Sequence, residues 1–362
     1  MPDLWYWNQK FCSILQGMIP FLKGSHWRIW QRRDSLRHIG MRVFGNAWIR
    51  CGIRRYWKRY GAVGRRNGNN GNECDIMVSC SGRKSQMILL TGATGLLSSG
   101  ILQRLVEGGW KVCYIKRETS DLHRVARVAE SCKWYNLKAG IIKQIFEENS
   151  IHMVIHCATN YGREDSEYFE VYQTNLFVPF ELLENAIRYE CRTFINTDTF
   201  FVKQIGCLWE DGKKPYRNTY TTMKYLFTYI VREQIAKWNK SFLNLQLEHL
   251  YGVGDSEGKF VNHILRQLRE NVREIELTEG TQLRDWIYIE DALEAYMAVV
   301  RQTGRFAIGA FHQIEVGTGE EKSFRVFVET AKRIMNSSSK LLFGKNRWGK
   351  VNCYPLTRML AC

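Results

Sequence analysis

One stretch constrains the fold of this chain more than any other. Residues 86–90 form a short apolar run, QMILL, that leads into Thr91-Gly92-Ala93-Thr94-Gly95-Leu96-Leu97-Ser98 and then into Ile101, Leu102, Leu105 and Val106 at helical spacing. A continuous apolar run, a glycine turn and a 3.6-residue period read as strand, turn and helix. Glycines at 92 and 95 let the backbone approach a pyrophosphate, whose charge meets the amides and dipole at the helix start. Gly92, Thr94, Gly95, Leu96 and Leu97 are the candidate cofactor contacts here. A plain tight turn is the alternative, and Ser98 stands where a third glycine would allow the closest packing.

The units that follow repeat the theme. A strand at 111–115 ends in Lys116-Arg117, at about the distance where a dinucleotide fold that prefers NAD places an acid for the ribose hydroxyls. Two cations suit a 2′-phosphate instead, so NADP(H) is favoured over NAD(H); a solvated basic turn is the competing reading. Residues 141–148 read as a helix, 153–158 as a buried strand ending in Ala158 and Thr159, 169–188 as a long helix carrying Asn175, and 193–195 as the next strand. Alternation on this scale specifies an α/β fold with a doubly wound parallel sheet, with ligands at the carboxyl ends of its strands.

Beyond the 193–195 strand stand Asn196-Thr197-Asp198-Thr199, and later Tyr220 and Lys224. Four residues apart on a helix, Tyr220 and Lys224 share a face. A phenol near its reference pKa of about 10 exchanges protons poorly at neutral pH, and an adjacent ammonium favours the phenolate. Such a pair can handle the proton at a carbonyl oxygen. Alone, the spacing is common and describes many exposed helix faces; its weight comes from following a glycine turn and a hydroxyl-bearing strand end.

The net charge of +16 raises the question of nucleic-acid binding. Residues 1–86 hold 16 Lys and Arg against 4 Asp and Glu, a net +12, which leaves +4 for the rest, and they hold 6 of the 12 tryptophans. Their aromatics and arginines follow neither a 3.6- nor a 2-residue period, so no amphipathic face emerges. A basic aromatic arm is one interpretation. Another is suggested by the genetic code: His38 to Ile53 can be encoded so that the frame one base earlier reads AYRHEGFWQCMDTLRD, Arg54 to Gly61 continue it as KKILEEIW, and Met41, Trp48 and Trp57, which allow no codon choice, all fit. That shifted text resembles the C-terminal region of glucose-1-phosphate cytidylyltransferases. Residues 1–76 are accordingly expected to be an out-of-frame or unstructured extension, with the natural start at Met77 or Met87 and no nucleic-acid partner. No apolar run of about 18 residues marks a membrane span, and eleven cysteines without metal-like CxxC pairs read as reduced thiols in a cytoplasmic protein with no metal.

Taken jointly, TGATGxxxS, HCAT at 156–159, the hydroxyl strand end, YxxxK, LEHLYG at 247–252 and RDWIYIED at 284–291 resemble the extended short-chain dehydrogenase/reductases of the NAD-dependent epimerase/dehydratase family over residues 87–344. The resemblance implies a Rossmann dinucleotide-binding domain at 87–250 and a smaller, mainly substrate-binding region at 251–344. It also implies a nucleotide-sugar substrate and a homodimer formed through a helix pair. Catalytic roles carry over to Thr197, Tyr220 and Lys224; Ala158 and Thr159 join the cofactor contacts; Arg284 matches a binder of the substrate diphosphate; and Lys259 stands beside it as a candidate nucleotide contact, with a solvated loop lysine the alternative and Thr199 a rival for the hydroxyl role. His249 reads as packing and Asn175 as support for the sheet.

The reaction turns on departures from the family pattern. Many 4,6-dehydratases carry Asp-Glu after the threonine, where this chain has Asp198-Thr199; epimerases carry serines there and an acid after the second strand, and it has neither. FINTDTFF, LEHLYG and LxxGxQxRDWIY look most like the CDP-abequose/CDP-paratose synthase group, which implies NADPH-dependent reduction of a 4-keto nucleotide deoxysugar. A 4-epimerase or 4,6-dehydratase is the alternative within the family, and a non-catalytic NADP(H) sensor the alternative outside enzymes, although Tyr220 and Lys224 count against the sensor. Residues 345–362 are expected to be a frameshifted tail.

Overall fold

The computed structural model describes residues 87–162, 168–203, 219–256 and 259–345, together with the backbone of 39–42 and 48–52. Most of the N-terminal extension and all but the first residue of the expected tail lie outside the described residues. Within that extension two strands are described, β1 (Ile39–Arg42) and β2 (Trp48–Gly52), paired antiparallel with each other.

The core begins with β3 (Met87–Thr91), α1 (Leu96–Glu107) and β4 (Lys111–Lys116), then β5 (Lys133–Asn136), α2 (Ile141–Glu148) and β6 (Ile151–His156). A helix in three pieces follows: α3 (Tyr168–Tyr172), a π-turn at Gln173–Phe177, and α4 (Val178–Arg188). Pro179 explains the interruption, because a ring nitrogen with no hydrogen cannot donate to the carbonyl of Asn175 and the ladder re-spaces around the gap. Next come β7 (Thr193–Thr199), α5 (Thr219–Gln234), β8 (Ser241–Leu247) and β9 (His249–Tyr251). Strand β7 runs four residues further than its apolar run predicts, since Thr197 and Thr199 pair with Leu245 and Leu247 of β8.

The remaining elements are α6 (Phe260–Arg269), β10 (Glu274–Leu277), β11 (Leu283–Tyr288), α7 (Ile289–Arg301), β12 (Ala310–Gly317), β13 (Glu321–Ser323), α8 (Phe324–Met335) and β14 (Lys340–Phe343). The main sheet runs β1-β2-β12-β8-β7-β6-β3-β4-β5, and the seven strands from β12 to β5 are parallel. Strands β9, β11 and β13 form a second sheet and β10 pairs with β14. The doubly wound α/β architecture expected from the sequence is present. Helices α1 and α7 cover one face over Leu90, Ile155, Ile195 and Leu245, while α2, α4 and α5 cover the other over Leu89, Val154 and Phe194. Burial on both faces is why Met87–Leu90 of β3 and Met153–Ile155 of β6 read as unbroken apolar runs.

Two features depart from a simple division at residue 250. Helix α7 and β12 return from the later region to complete the main sheet, so the two regions interleave in sequence. And β2 lies antiparallel along β12, Ile314 opposite Cys51. The aperiodic sequence predicts no strand there. The unpaired N–H and C=O groups of an edge strand accept any extended segment, whatever its side chains.

From β3 the chain adds β4 and β5 on one side and then crosses to add β6 and β7 on the other, and this reversal of strand order between the parallel neighbours β3 and β6 opens a crevice at their carboxyl ends. Gly92 and Ala158 stand at that point.

Candidate active site

The crevice is shaped by contacts that leave no room for a side chain. Gly92 has φ +69°, and a Cβ there would lie 2.8 Å from the backbone N and Cα of Ala158. Thr91 ties the two loops together: its Oγ1 accepts from the amides of Cys157 (3.2 Å) and Ala158 (3.3 Å) and lies 2.8 Å from Nδ1 of His156. With both amides donating to it, Thr91 gives its own proton to the imidazole. Burial and the nearby Lys224 hold the His156 pKa well below its ordinary value, so the ring is neutral and able to accept. The amide of Gly95 closes the turn on the Gly92 carbonyl at 2.9 Å, and the Ser98 hydroxyl donates to the same oxygen.

Gly95 caps α1 with no side-chain hydrogen bond, and no acid lies in the first turn. The helix therefore presents its leading amides, with Leu96 and Leu97 in its first turn, to an anion. The Gly92–Ala158 cradle and these amides fit a dinucleotide pyrophosphate. Ser98, at the position of a third glycine, is a staple; the close helix packing falls to Gly100, whose Cβ would meet Leu293 Cδ1 of α7 at 2.6 Å. Arg124 also escaped the sequence reading. It donates to the carbonyls of Thr94 (3.2 Å) and Gly254 (2.7 Å), joining the glycine turn to the loop after β9. A glycine two positions beyond Ser98 was a legible signal; nothing local marks Arg124.

At the end of β4, Lys116 Nζ donates to Asn136 Oδ1 (2.8 Å) and sits 4.3 Å from the ring centre of Trp134. Arg117 is exposed at the start of the following loop, its amide bonded to Ser120 Oγ at 3.0 Å. Thr159 closes β6 with its hydroxyl 3.4 Å from the Cys157 carbonyl.

Tyr220 and Lys224 share the buried face of α5, with the ammonium 6.0 Å from the phenol ring centre. Lys224 is only 4% exposed and donates to the carbonyl of Thr197 at 2.6 Å. Burial pulls its pKa down, while Asp198 and Cys157 act in the opposite sense. Tyr161, from the loop after β6, lies against Tyr220 with ring centres 5.0 Å apart. That loop is held by Asn175, whose amide group donates to the Asn160 carbonyl (2.7 Å) and accepts from the Asn160 amide (3.2 Å). Asn175 is thus a support reaching the site from the π-turn.

The hydroxyls of β7 are less evenly placed than their spacing suggests. Thr197 Oγ1 accepts from Tyr296 Oη of α7 (2.8 Å) and donates to Cys157 Sγ (3.1 Å). Thr199 Oγ1 accepts from the Phe201 amide at 3.4 Å and keeps its proton without an acceptor among the described residues. Asp198, between them, is committed to the sheet: Asn244 Nδ2 donates to one of its oxygens and the Thr199 amide to the other, both at 2.8 Å. Asn196 and Gln313 extend this buried amide ladder through Asn244.

On the opposite wall, Lys259 Nζ pairs with Asp255 (2.9 Å) and lies 5.9 Å from the Tyr161 ring centre. Arg284 of β11 donates from Nε to His249 Nε2 of β9 (3.0 Å) and from Nη1 to the Leu283 carbonyl (2.7 Å). Asp285 spends its oxygens on Thr318 and Gly319. Among the described residues no His, Cys, Asp and Glu cluster could hold a metal, and no helix is long and apolar enough to cross a membrane.

Residues 88–309 match the model of the NAD dependent epimerase/dehydratase family. The chain is 30% identical over 262 residues to the CDP-abequose synthase of Salmonella muenchen, covering 72% of this chain and 84% of that one. To the Salmonella typhimurium enzyme of the same name it is 28% identical over 260 residues, covering 71% and 84%. Among solved structures, UDP-glucose 4-epimerase of Thermotoga maritima with UDP-glucose superposes with a TM-score of 0.61 at 19% identity, covering 74% of this chain and 88% of that one. The dTDP-glucose 4,6-dehydratase of Bacillus anthracis with NAD gives 0.58 at 17% identity, covering 71% and 84%. The crevice, the tyrosine–lysine pair and these likenesses agree: the chain belongs to the NAD-dependent epimerase/dehydratase family.

Proposed function

We propose that the protein reduces the 4-keto group of a nucleotide deoxysugar with NADPH, and that the nucleotide is CDP. The observation that carries this reading is the environment of Asp198. A dehydratase needs a second acid and base to expel water, yet the carboxylate beside the site is bonded on both oxygens inside the sheet and its neighbour is Thr199. Among the described residues, what is left for chemistry is Tyr220 with Lys224 on the same face of α5, a single proton device. The nicotinamide supplies the hydride when bound. Tyr220 gives its proton to the oxygen that gains negative charge, Lys224 favours the phenolate left behind, and a threonine of β7 donates a hydrogen bond to the same oxygen. Thr199 suits that last role better than Thr197, whose hydroxyl is already engaged on both sides.

Relatives named CDP-abequose synthase support the choice of a CDP sugar. Two cations at and just beyond the end of β4, Lys116 and Arg117, support a preference for NADPH over NADH, because they suit a ribose 2′-phosphate better than the acid of an NAD site. Arg284 and Lys259 are the candidates for the substrate diphosphate and nucleotide, with Arg284 able to offer a bidentate fork. Tyr168 (73% exposed) and Phe169 on α3, Phe177 in the π-turn and Tyr229 on α5 are exposed aromatics on elements that pack side by side, and a second copy would cover them in a homodimer. Free Cys113, Cys132, Cys157 and Cys191 suit the reducing cytoplasm.

Incubating the protein with NADPH and a panel of 4-keto nucleotide sugars tests the proposal. NADPH should be consumed with a CDP-4-keto deoxysugar. Binding of NADPH with no consumption across the panel would replace the enzyme by the sensor reading.

A further inference from the structure

Arg284 does not hold its position alone. Its Nε donates to His249 Nε2 at 3.0 Å across the parallel pair of β11 and β9, where Trp286 stands opposite His249. An imidazole nitrogen that accepts is unprotonated, so the ring proton is on Nδ1. Nδ1 is buried without a hydrogen-bond partner among the described residues. The ring is clamped by aromatics, with Phe200 at 4.3 Å and Trp286 at 5.4 Å between ring centres. A residue chosen only to fill this space would be apolar, since a buried unpaired donor costs stability that a carbon ring would not. The imidazole instead provides an acceptor, at a fixed place, to the Nε of a cation whose Nη1 is held by the Leu283 carbonyl.

From this we propose that His249 is a positioning residue for Arg284. By accepting from Nε it fixes the plane of the guanidinium, and with it the direction from which the diphosphate of the substrate meets the cation. A fork held in one orientation loses less conformational freedom on binding than one that must be ordered by the ligand. The inference rests on the proposed nucleotide-sugar reading and assigns His249 a purpose that packing alone does not.

The test compares nucleoside diphosphates with monophosphates, because only the former reach the second phosphate. The full-length protein, His249→Phe, His249→Gln and Arg284→Lys are titrated calorimetrically with CDP, CMP, UDP, UMP and NADPH. His249→Phe keeps a ring between Phe200 and Trp286 and removes the acceptor; it should weaken the diphosphates by about tenfold, the worth of one hydrogen bond to a charged group, and leave the monophosphates and NADPH unchanged. His249→Gln, which retains an acceptor oxygen, should recover most of the loss. In the Arg284→Lys background His249→Phe should cost nothing further, since the lysine lacks the Nε donor and the coupling is gone.

Equal weakening of mono- and diphosphates, no weakening, or additive losses in the double variant would overturn the positioning role and return His249 to packing. If His249→Phe fails to fold, the Gln variant and the Arg284→Lys cycle with Gln decide the matter: Gln weaker than wild type by the full margin overturns the proposal. A wild-type protein that binds neither diphosphate would refute the nucleotide-sugar reading itself. That outcome is distinct, because there the parent protein and not the variant fails.

Discussion

Replacing Gly92 by alanine tests the crevice by its geometry. Three effects set the size of the response. Holding a non-glycine residue at φ +69° costs about 1–2 kcal/mol. Forcing a methyl to within 2.8 Å of the Ala158 backbone adds about 1–3 kcal/mol, because main chain cannot swing aside as a side chain can. Against these, alanine narrows the unfolded ensemble and recovers about 0.4–1 kcal/mol. The net loss should be about 1–5 kcal/mol.

Gly109 is the control. It has φ +77° but nothing within 4 Å of a built Cβ, so Gly109→Ala carries the conformational cost without the collision and should lose about 1 kcal/mol. Urea denaturation followed by circular dichroism measures both, and NADPH titration by fluorescence measures the crevice. Relief of the Gly92 collision requires the β6 loop to retreat, so Gly92→Ala should also weaken NADPH binding while Gly109→Ala should not. Equal stability losses in the two variants, with NADPH affinity unchanged in both, would refute the argument that this glycine exists for close approach.

Four further outcomes are expected. Tyr220→Phe should lower turnover about 10²–10⁴-fold with NADPH affinity nearly unchanged, whereas Lys224→Met, which also loses the bond to the Thr197 carbonyl, should reduce both; steady-state rates and cofactor titration distinguish them. Arg117→Asp should weaken NADPH binding and spare NADH, and parallel titrations that shift equally would remove Arg117 from the phosphate site. Glu248 is buried and its carboxyl is pushed up to about 7, with Lys203 opposing the shift. An acid raised in the folded state binds more protons folded than unfolded between its ordinary range and about 7, so its contribution to stability falls as pH rises through that window; Glu248→Gln should therefore gain stability relative to wild type between about pH 5 and pH 8 in paired urea curves, and a constant difference would count against the buried charge. Deleting residues 1–76 should leave the melting temperature unchanged, since the backbone pairing described for β1 and β2 is an edge addition along β12 whose hydrogen bonds are each worth little net against water; a fall of several degrees would make that segment part of the fold.

Much of the fold was legible from local pattern. A run buried on both faces, a glycine turn and a helical period are written into consecutive residues, so β3, α1, β4, α2 and β6 could be placed from the sequence, and the Tyr220–Lys224 face follows from helical geometry alone. The boundaries were harder. The polar end of β7 reads as a loop until its amide ladder with β8 and β12 is seen, and the long helix reads as continuous because the missing N–H of Pro179 acts four residues upstream.

The composition of the site was decided by tertiary structure. Two threonines on β7 are equivalent as sequence, and only the arrival of Tyr296 from α7 commits the hydroxyl of Thr197 while leaving the proton of Thr199. Gly100 is an ordinary helix residue until α7 presses Leu293 against it, and Arg124 is an ordinary loop arginine until the turns after β3 and β9 come within reach of its two amino groups. His249 and Arg284 meet because β9 and β11 are neighbours in a small sheet, although 35 residues separate them in the chain. Periodicity reports which face of an element is buried, because that depends on residues within a few turns. Which partner a polar group finds depends on strand order and register, and those are settled only when distant segments pack.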